Sequence, residues 1–197
     1  MKKTGMLWIG IALVVVGTAG VAAVMVYEQP GAFRGPFARD NTDAMFIEQM
    51  IPHHEDAIEM AELALSRAEH PEIKQLARDV IETQSAEIDQ MRDWYREWFD
   101  ADVPDLGGSS GMMGGGMMGG GMMGGDVDLE DLEAAEEFDK AFIEAMVPHH
   151  QMGIMMSRMA GSATGRSELR GLTDAIIEGQ SAEIRKMQDW YEEWYGR

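Results

Sequence analysis

The chain has 197 residues, with 35 Asp and Glu against 16 Lys and Arg, a formal net charge of −19, 19 methionines and no cysteine. Its length suits one ordinary domain, or two very small ones with appendages. The acidity argues against nucleic-acid binding, which needs a basic face. The lack of cysteine excludes disulfides, thiolate zinc sites and iron–sulfur clusters.

The N-terminal segment, 1–27, is predicted to be a membrane anchor or a signal segment. Lys2 and Lys3 precede an uncharged run that, as a helix, is long enough to cross a hydrocarbon core of roughly 30 Å. An uncleaved transmembrane helix is favoured over a cleaved signal peptide because the run stays apolar through Val26. In both cases the rest of the chain lies outside the cytoplasm, held on the cell membrane or secreted.

A duplication follows a short stalk at 28–40, which is rich in Pro and Gly. Residues 43–99 realign on 139–195 without a gap, and about half of the aligned positions are identical. In each copy two runs with apolar residues three and four apart are separated by a break, which predicts a helical hairpin. Hairpins at 41–99 and 128–197 would bury their apolar faces on each other as an all-α four-helix bundle.

Three local signals refine these helices. Pro71 fits the first turn of the second helix. Asp128 is a candidate N-cap of the third helix. Pro52 and Pro148 lie inside the first helix of each copy, so a kink or a restart is expected at both.

The segment between the hairpins, 100–127, is predicted to be a flexible linker because its glycine density prevents a fixed backbone. It carries three Met-Met pairs, and thioethers bind Cu(I) or Ag(I) without having to lose a proton. Metal capture is therefore favoured over a repeat expansion without a role or a sticky tether. The linker methionines are Met112, Met113, Met117, Met118, Met122 and Met123.

Paired histidines follow a methionine in each copy. His53-His54 comes three and four residues after Met50, and His149-His150 stands in the same relation to Met146, so each set shares one side of a helix. A lone histidine on an apolar face is usually a hydrogen-bonded core residue, and methionine at helical spacing is usually core filler. Recurrence of the same set favours a copper site, Cu(I) above all. The predicted ligands are Met50, His53, His54, Met60, Met146, His149, His150, Met152, Met155, Met156 and Met159.

Two glutamates, Glu87 and Glu183, fall within the apolar stripe of the second helix of each copy. A carboxylate there needs a partner, and a histidine of the facing helix is the candidate. Each glutamate could then orient an imidazole or bind metal itself. A structural polar network with Gln84 and Gln180 is an equal alternative. Met91 and Met187 are neighbouring candidates for the same roles.

No enzyme is predicted. The chain lacks the paired Glu-x-x-His motifs of di-iron bundles, and no second histidine follows His54-Glu55 at the spacing of a zinc protease helix. It also lacks a cysteine nucleophile, a P-loop and a dinucleotide-binding fingerprint. His70 aligns with Arg166 in the second copy and is expected to be a surface residue.

The pattern Asp-x-x-Phe-Ile-x-x-Met-x-Pro-His-His, followed by Gln-Ser-x-Glu-Ile-x-x-Met-x-x-Trp, resembles the bacterial family of domain of unknown function 305 across 43–195. The resemblance implies a ferritin-like four-helix bundle, and some members of the family are extracytoplasmic copper-binding proteins. The second copy departs from the first in having Met152 and Met155 where the first has Asp56 and Glu59, so the halves are not expected to bind metal equally.

Two functions remain open at this point. The first is a membrane-tethered protein that buffers, sequesters or transfers Cu(I), with copper donor or acceptor proteins as partners. The alternative is a metal-free helical bundle that serves as a structural or protein-interaction module at the cell envelope. The sequence leaves open whether the chain forms homo-oligomers.

Overall fold

The computed structural model describes residues 36–105 and 128–196, and every regular element in these ranges is a helix. The helices are α1 (Pro36–Arg67), α2 (Pro71–Phe99), α3 (Leu129–Ala134), α4 (Phe138–Ala163) and α5 (Ser167–Tyr195). The expected all-α bundle is confirmed. None of the described helices is long and apolar enough to span a membrane. The predicted anchor and the linker methionines lie outside the described residues.

The first hairpin consists of α1 and α2. α1 begins at Pro36, so its first turn takes in the last residues of the predicted stalk. Proline is acceptable there because the first backbone N–H groups of a helix have no partner within it. α2 begins at Pro71, as predicted from the same rule. It ends at Phe99, and the next residue, Asp100, has a left-handed backbone (φ 52°) and donates its N–H to the carbonyl of Arg96.

The second hairpin consists of α4 and α5 and is preceded by the short helix α3. The side chain of Asp128 accepts hydrogen bonds from the backbone N–H groups of Glu130 and Asp131 and so caps α3. The predicted cap is therefore real, but it belongs to a separate six-residue helix and not to the third long helix. Arg67 at the end of α1 donates to the backbone carbonyl of Glu133 and ties α3 to the first hairpin.

Pro52 and Pro148 lie inside α1 and α4, and both helices continue through them. An internal proline removes one backbone hydrogen bond and crowds the preceding turn, at a cost of about 3 kcal/mol. A restart of the helix, one of the two expected outcomes, does not occur. Met50 and Ala57 are fully buried on either side of Pro52, so tertiary packing holds both segments of α1 in one helix.

The two hairpins dock through α1 and α4, which run antiparallel. One hydrophobic cluster joins the second half of α1 and the start of α2 to the first half of α4 and the second half of α5. The other joins the first half of α1 and the second half of α2 to the end of α4 and the first half of α5. The duplication thus produces two related cores in one bundle, with a level between them that neither core fills.

Candidate metal centre

A polar layer lies at the level between the two hydrophobic clusters. It comprises His53 and His54 of α1, Gln84 and Glu87 of α2, His149 and His150 of α4, and Gln180 and Glu183 of α5. His54 and His150 have no exposed surface, and Gln84 and Gln180 are also buried. Buried polar groups need hydrogen bonds or a bound ligand to offset their desolvation.

The layer contains two histidine–glutamate pairs, one within each hairpin. The Nε2 atom of His54 lies 2.8 Å from Oε2 of Glu87, and that of His150 lies 2.8 Å from Oε2 of Glu183. The histidine partner predicted for each glutamate is therefore confirmed. Because an ionised carboxylate only accepts hydrogen bonds, Nε2 of each ring carries the hydrogen. In the neutral ring the lone pair is then on Nδ1.

The other two histidines, His53 and His149, face each other across the docking interface. Their rings are stacked, with centroids 3.8 Å apart and planes 29° from parallel. The Nε2 atom of His53 lies 3.1 Å from the backbone oxygen of His149. A carbonyl oxygen can only accept, so Nε2–H of His53 is the donor and its Nδ1 holds the lone pair.

Burial keeps both stacked rings uncharged at neutral pH. Desolvation, and then the nearby histidines His54 and His150, lower the pKa of His53 to about 3. Desolvation, and then His53, His150 and His54, lower the pKa of His149 to about 2. A neutral imidazole is the form that binds a metal ion, so no proton has to leave these rings before an ion can bind.

Several buried polar atoms of the layer have no hydrogen-bond partner. Both ring nitrogens of His149 are in this state, as is Nδ1 of His53, His54 and His150. Oε1 of Gln84 and both amide atoms of Gln180 are also unpartnered. Such atoms normally cost about 1–3 kcal/mol each, so a cluster of them is a candidate ligand site.

Methionine sulfur borders the polar layer on both sides. Met50 and Met91 belong to one hydrophobic cluster, and Met60, Met146 and Met187 belong to the other. All five are almost completely buried. Their packing in the hydrophobic clusters agrees with a role as core residues. Their position beside the polar layer also suits the binding of a soft metal ion.

The remaining predicted ligands of α4 lie elsewhere. Met155 is 41% exposed and Met159 is 66% exposed, whereas Met152 and Met156 are half-buried. We call these four residues the thioether strip. Met155 and Met159 therefore lie on the solvent side of α4, and their proposed role as metal ligands stays a prediction.

Gly153 brings α4 close to the polar layer. A Cβ atom at this position would lie 2.5 Å from Oε1 of Gln180 and 3.1 Å from Cε1 of His53. The small residue therefore permits a close approach of α4 to α5 and α1.

Within residues 36–105 and 128–196, no three or more His, Asp or Glu side chains are already arranged to hold a metal ion. The stacking of His53 on His149 explains this, because imidazole lone pairs lie in the ring plane and stacked rings cannot direct them at one point between their faces. The donor chemistry suits a soft ion, since neutral imidazole and thioether are both ligands of Cu(I). Binding would require these two rings to rotate.

His70 has a role that sequence reasoning missed. Its Nδ1 atom lies 2.6 Å from Oδ2 of Asp139, and its ring stacks on Trp194 with centroids 3.7 Å apart. His70 does lie at the surface, as expected, with 36% of its side chain exposed, but it is held there by these two partners. Arg166 makes the equivalent contacts at the other end of the bundle. The equivalent partners of Arg166 are Asp43, at 3.3 Å, and Trp98, at 4.4 Å. The signal was present, because the Asp and the Trp recur in the duplication, and the aligned residue between them in the sequence is His70 in one copy and Arg166 in the other.

The model of the DUF305 family, a domain of unknown function, matches residues 43–191. The chain belongs to the DUF305 family. A putative secreted DUF305 protein from Streptomyces coelicolor has 27% identity and a TM-score of 0.65, with 78% of this chain and 94% of that one covered. A DUF305 fragment from Deinococcus radiodurans, at 24% identity and a TM-score of 0.61, covers 75% of this chain and 93% of its own, and shows the same fold.

This DUF305 protein is also similar to CopM. The Cu(II)-bound form of CopM has 48% identity and a TM-score of 0.69, and the comparison covers 78% of this chain and 97% of CopM. The Cu(I)-bound form has 46% identity and a TM-score of 0.66, over the same shares. CopM has also been solved in an Ag-bound form. Uncharacterized protein L153 of Acanthamoeba polyphaga mimivirus is 45% identical over 49 residues, which are 25% of this chain and 32% of that protein.

Proposed function

We propose that this protein binds copper as Cu(I) outside the cytoplasm, through the imidazoles of the polar layer and the methionines that border it. The observation that carries the proposal is the set of unpartnered, buried ring nitrogens on four neighbouring histidines. The similarity to CopM, whose solved forms hold Cu(I), Cu(II) and Ag, supports a copper-related role. We propose binding and not catalysis, because the unpartnered nitrogens of the layer are metal ligands.

Each group of residues in the layer has its own role in the proposed binding of copper. His53, His54 and His150 would bind through Nδ1, because their Nε2–H groups are committed to acceptors. Glu87 and Glu183 hold the rings of His54 and His150 in orientation, as carboxylates do behind many metal-binding histidines. The methionines add sulfur, which favours Cu(I) over hard cations.

The setting we propose is a membrane-anchored protein that buffers Cu(I) or passes it to and from other copper proteins. The apolar segment at 1–27 would be the anchor. The chain has 35 acidic residues against 16 basic ones, and this negative charge would raise the local concentration of cations. The linker methionines would add a separate site for capture.

The metal-free alternative is favoured by one observation. The histidine–glutamate bonds and the stacked rings form a packed structure without an ion, and no ready group of three His, Asp or Glu ligands is present in the described parts of the chain. In this case the layer would fix the register in which α1 docks on α4. The two functions differ in whether the layer withdraws Cu(I) from a competitor.

The test is a titration of the full chain with Cu(I) in the presence of a competing chromophoric chelator. His149→Ala removes the histidine whose ring nitrogens both lack partners, and it is expected to weaken the tightest binding step by at least roughly tenfold, about 1.4 kcal/mol. The matched control, His70→Gln, changes a histidine outside the layer and should bind as the wild type does.

The linker is separated from the layer by changing its six methionines to leucine. That variant is expected to lose the Cu(I) ions that bind weakly and to keep the Cu(I) that binds most tightly. Equal affinity and stoichiometry for the wild type and His149→Ala would overturn the proposal. A folded His149→Ala chain, checked by circular dichroism, makes that comparison valid.

A further inference from the structure

The outer part of the thioether strip, Met155 and Met159, is not explained by packing, whereas Met156 packs against a hydrophobic cluster. Met159 is 66% exposed and Met155 is 41% exposed, so neither gains much from burial. Methionine used as core filler lies inside, as Met50 and Met146 do at 0% exposure. The strip therefore presents sulfur to solvent on one side of one helix.

The spacing of the strip connects it to the polar layer. Met152 follows His149 by three residues and Met156 follows it by seven, so these two half-buried methionines lie on the same side of α4 as His149, in the turns that follow it. Met155 and Met159 lie next to them and further around the helix, towards solvent. Adjacent members are three or four residues apart, which brings their Cβ atoms to about 5–6 Å. Met159 and Met155 are thus exposed, whereas Met152, Met156 and His149 are half-buried.

The inner end of the strip is a free ligand. His149 is the histidine whose ring nitrogens are both buried and unpartnered. An ion passed along the strip would meet an imidazole that does not have to give up a hydrogen bond to bind it.

The first copy has no such strip. The positions equivalent to Met152, Met155 and Met159 are Asp56, Glu59 and Leu63. Carboxylate oxygen suits hard cations, and leucine binds none. Within the described residues, α1 therefore carries no counterpart of these three thioethers.

From these observations we infer that the thioether strip is the route by which a soft monovalent cation, Cu(I) or Ag(I), moves between solvent and the buried imidazoles. The route is one-sided and ends at His149. This inference rests on the proposed function, and it adds a kinetic element that equilibrium binding does not report.

The test is stopped-flow transfer of Cu(I) to the full chain from a chromophoric chelator complex, followed by the loss of chelate absorbance. Met155→Leu/Met159→Leu keeps the volume of the side chains and removes the sulfur. We expect it to slow the phase that fills the buried layer by roughly tenfold and to leave the equilibrium affinity of that layer unchanged. Met45→Leu is the matched control, because Met45 is also exposed, at 49%, but belongs to α1 and not to the strip, and it should leave the rate unchanged.

Two results would overturn the inference. Transfer at the wild-type rate in the double variant would show that the strip is no route. Loss of one bound equivalent at an unchanged rate would show that it is a separate resting site. Failure of the proposed function appears in a different measurement, as unchanged equilibrium binding in His149→Ala. The linker methionines are the same in every arm and do not affect the comparison.

Discussion

The four histidines of the polar layer are of two chemical types. His54 and His150 each donate to a glutamate, whereas His53 and His149 stack on each other without a carboxylate. Burial lowers the pKa of the stacked rings to about 3 for His53 and about 2 for His149. This difference has a consequence for stability that does not depend on metal.

Stability of the metal-free chain is predicted to fall as pH is lowered. The unfolded chain takes up protons on His53 and His149 near pH 6.5, and the folded chain does so only near their lowered pKa values. Their contribution is complete above about pH 6.5 and is lost towards pH 3, with a slope of up to about 1.4 kcal/mol per pH unit for each ring.

Urea unfolding between about pH 7.5 and about pH 5 measures this slope before most carboxylates titrate. The double variant His53→Gln/His149→Gln should remove most of the slope in that range. An equally steep loss in the variant would show that these rings are not buried in a neutral form.

At the scale of single elements, α4 depends on Gly153 for its distance from α5 and α1. Gly153→Ala places a methyl group 2.5 Å from Oε1 of Gln180, so the amide and the ring of His53 must shift. We expect a loss of about 1–3 kcal/mol in the free energy of unfolding. Thermal or urea unfolding of the full chain provides the measurement.

Gly179→Ala is the matched control within α5. A Cβ atom at Gly179 would meet nothing within 4 Å, so this variant should gain up to about 1 kcal/mol from the better helix propensity of alanine. If both alanine variants stabilised the protein equally, the close approach at Gly153 would be refuted.

At the scale of the whole molecule, the two copies are joined at the ends as well as in the middle. Asp139 at the start of α4 accepts hydrogen bonds from the backbone N–H groups of Glu69, at 3.0 Å, and His70, at 2.8 Å, and pairs with the ring of His70. A carboxylate of the second copy thus fixes the turn between α1 and α2 of the first.

Asp139→Ala is therefore predicted to destabilise the bundle by about 1–3 kcal/mol, because it leaves backbone donors of that turn without their acceptor. Asp174→Ala is the control, since Asp174 is exposed on α5 and its removal should change stability by less than about 0.5 kcal/mol. Chemical unfolding of both variants measures this difference in the free energy of unfolding. If the two variants were equally stable, the end contacts would not hold the copies together.

Much of the bundle could be predicted from the sequence, because helical hairpins and buried histidines follow from local periodicity repeated in two copies. The bond from Glu87 to His54 was predictable for the same reason, since a carboxylate in an apolar stripe needs a partner. The burial of individual methionines was not predictable in this way. Met146 is buried and Met155 is exposed because they lie on different sides of α4, and only one of those sides packs on the rest of the bundle.

Contacts between the copies were also beyond local reasoning. His70 and Asp139 are 69 residues apart, and only the antiparallel docking of α1 on α4 brings them together. The continuity of α1 through Pro52 depends likewise on tertiary packing, which outweighs the local preference of proline for a break.

The most direct test of the central claim is Cu K-edge X-ray absorption of the full chain loaded with one equivalent of Cu(I). Binding by the polar layer predicts a mixed shell of nitrogen and sulfur ligands in the wild type. It also predicts loss of the nitrogen shell in the variant with alanine at all four histidines of the layer. A sulfur-only shell that is the same in both chains would contradict the account, because it would place the bound copper on methionines alone.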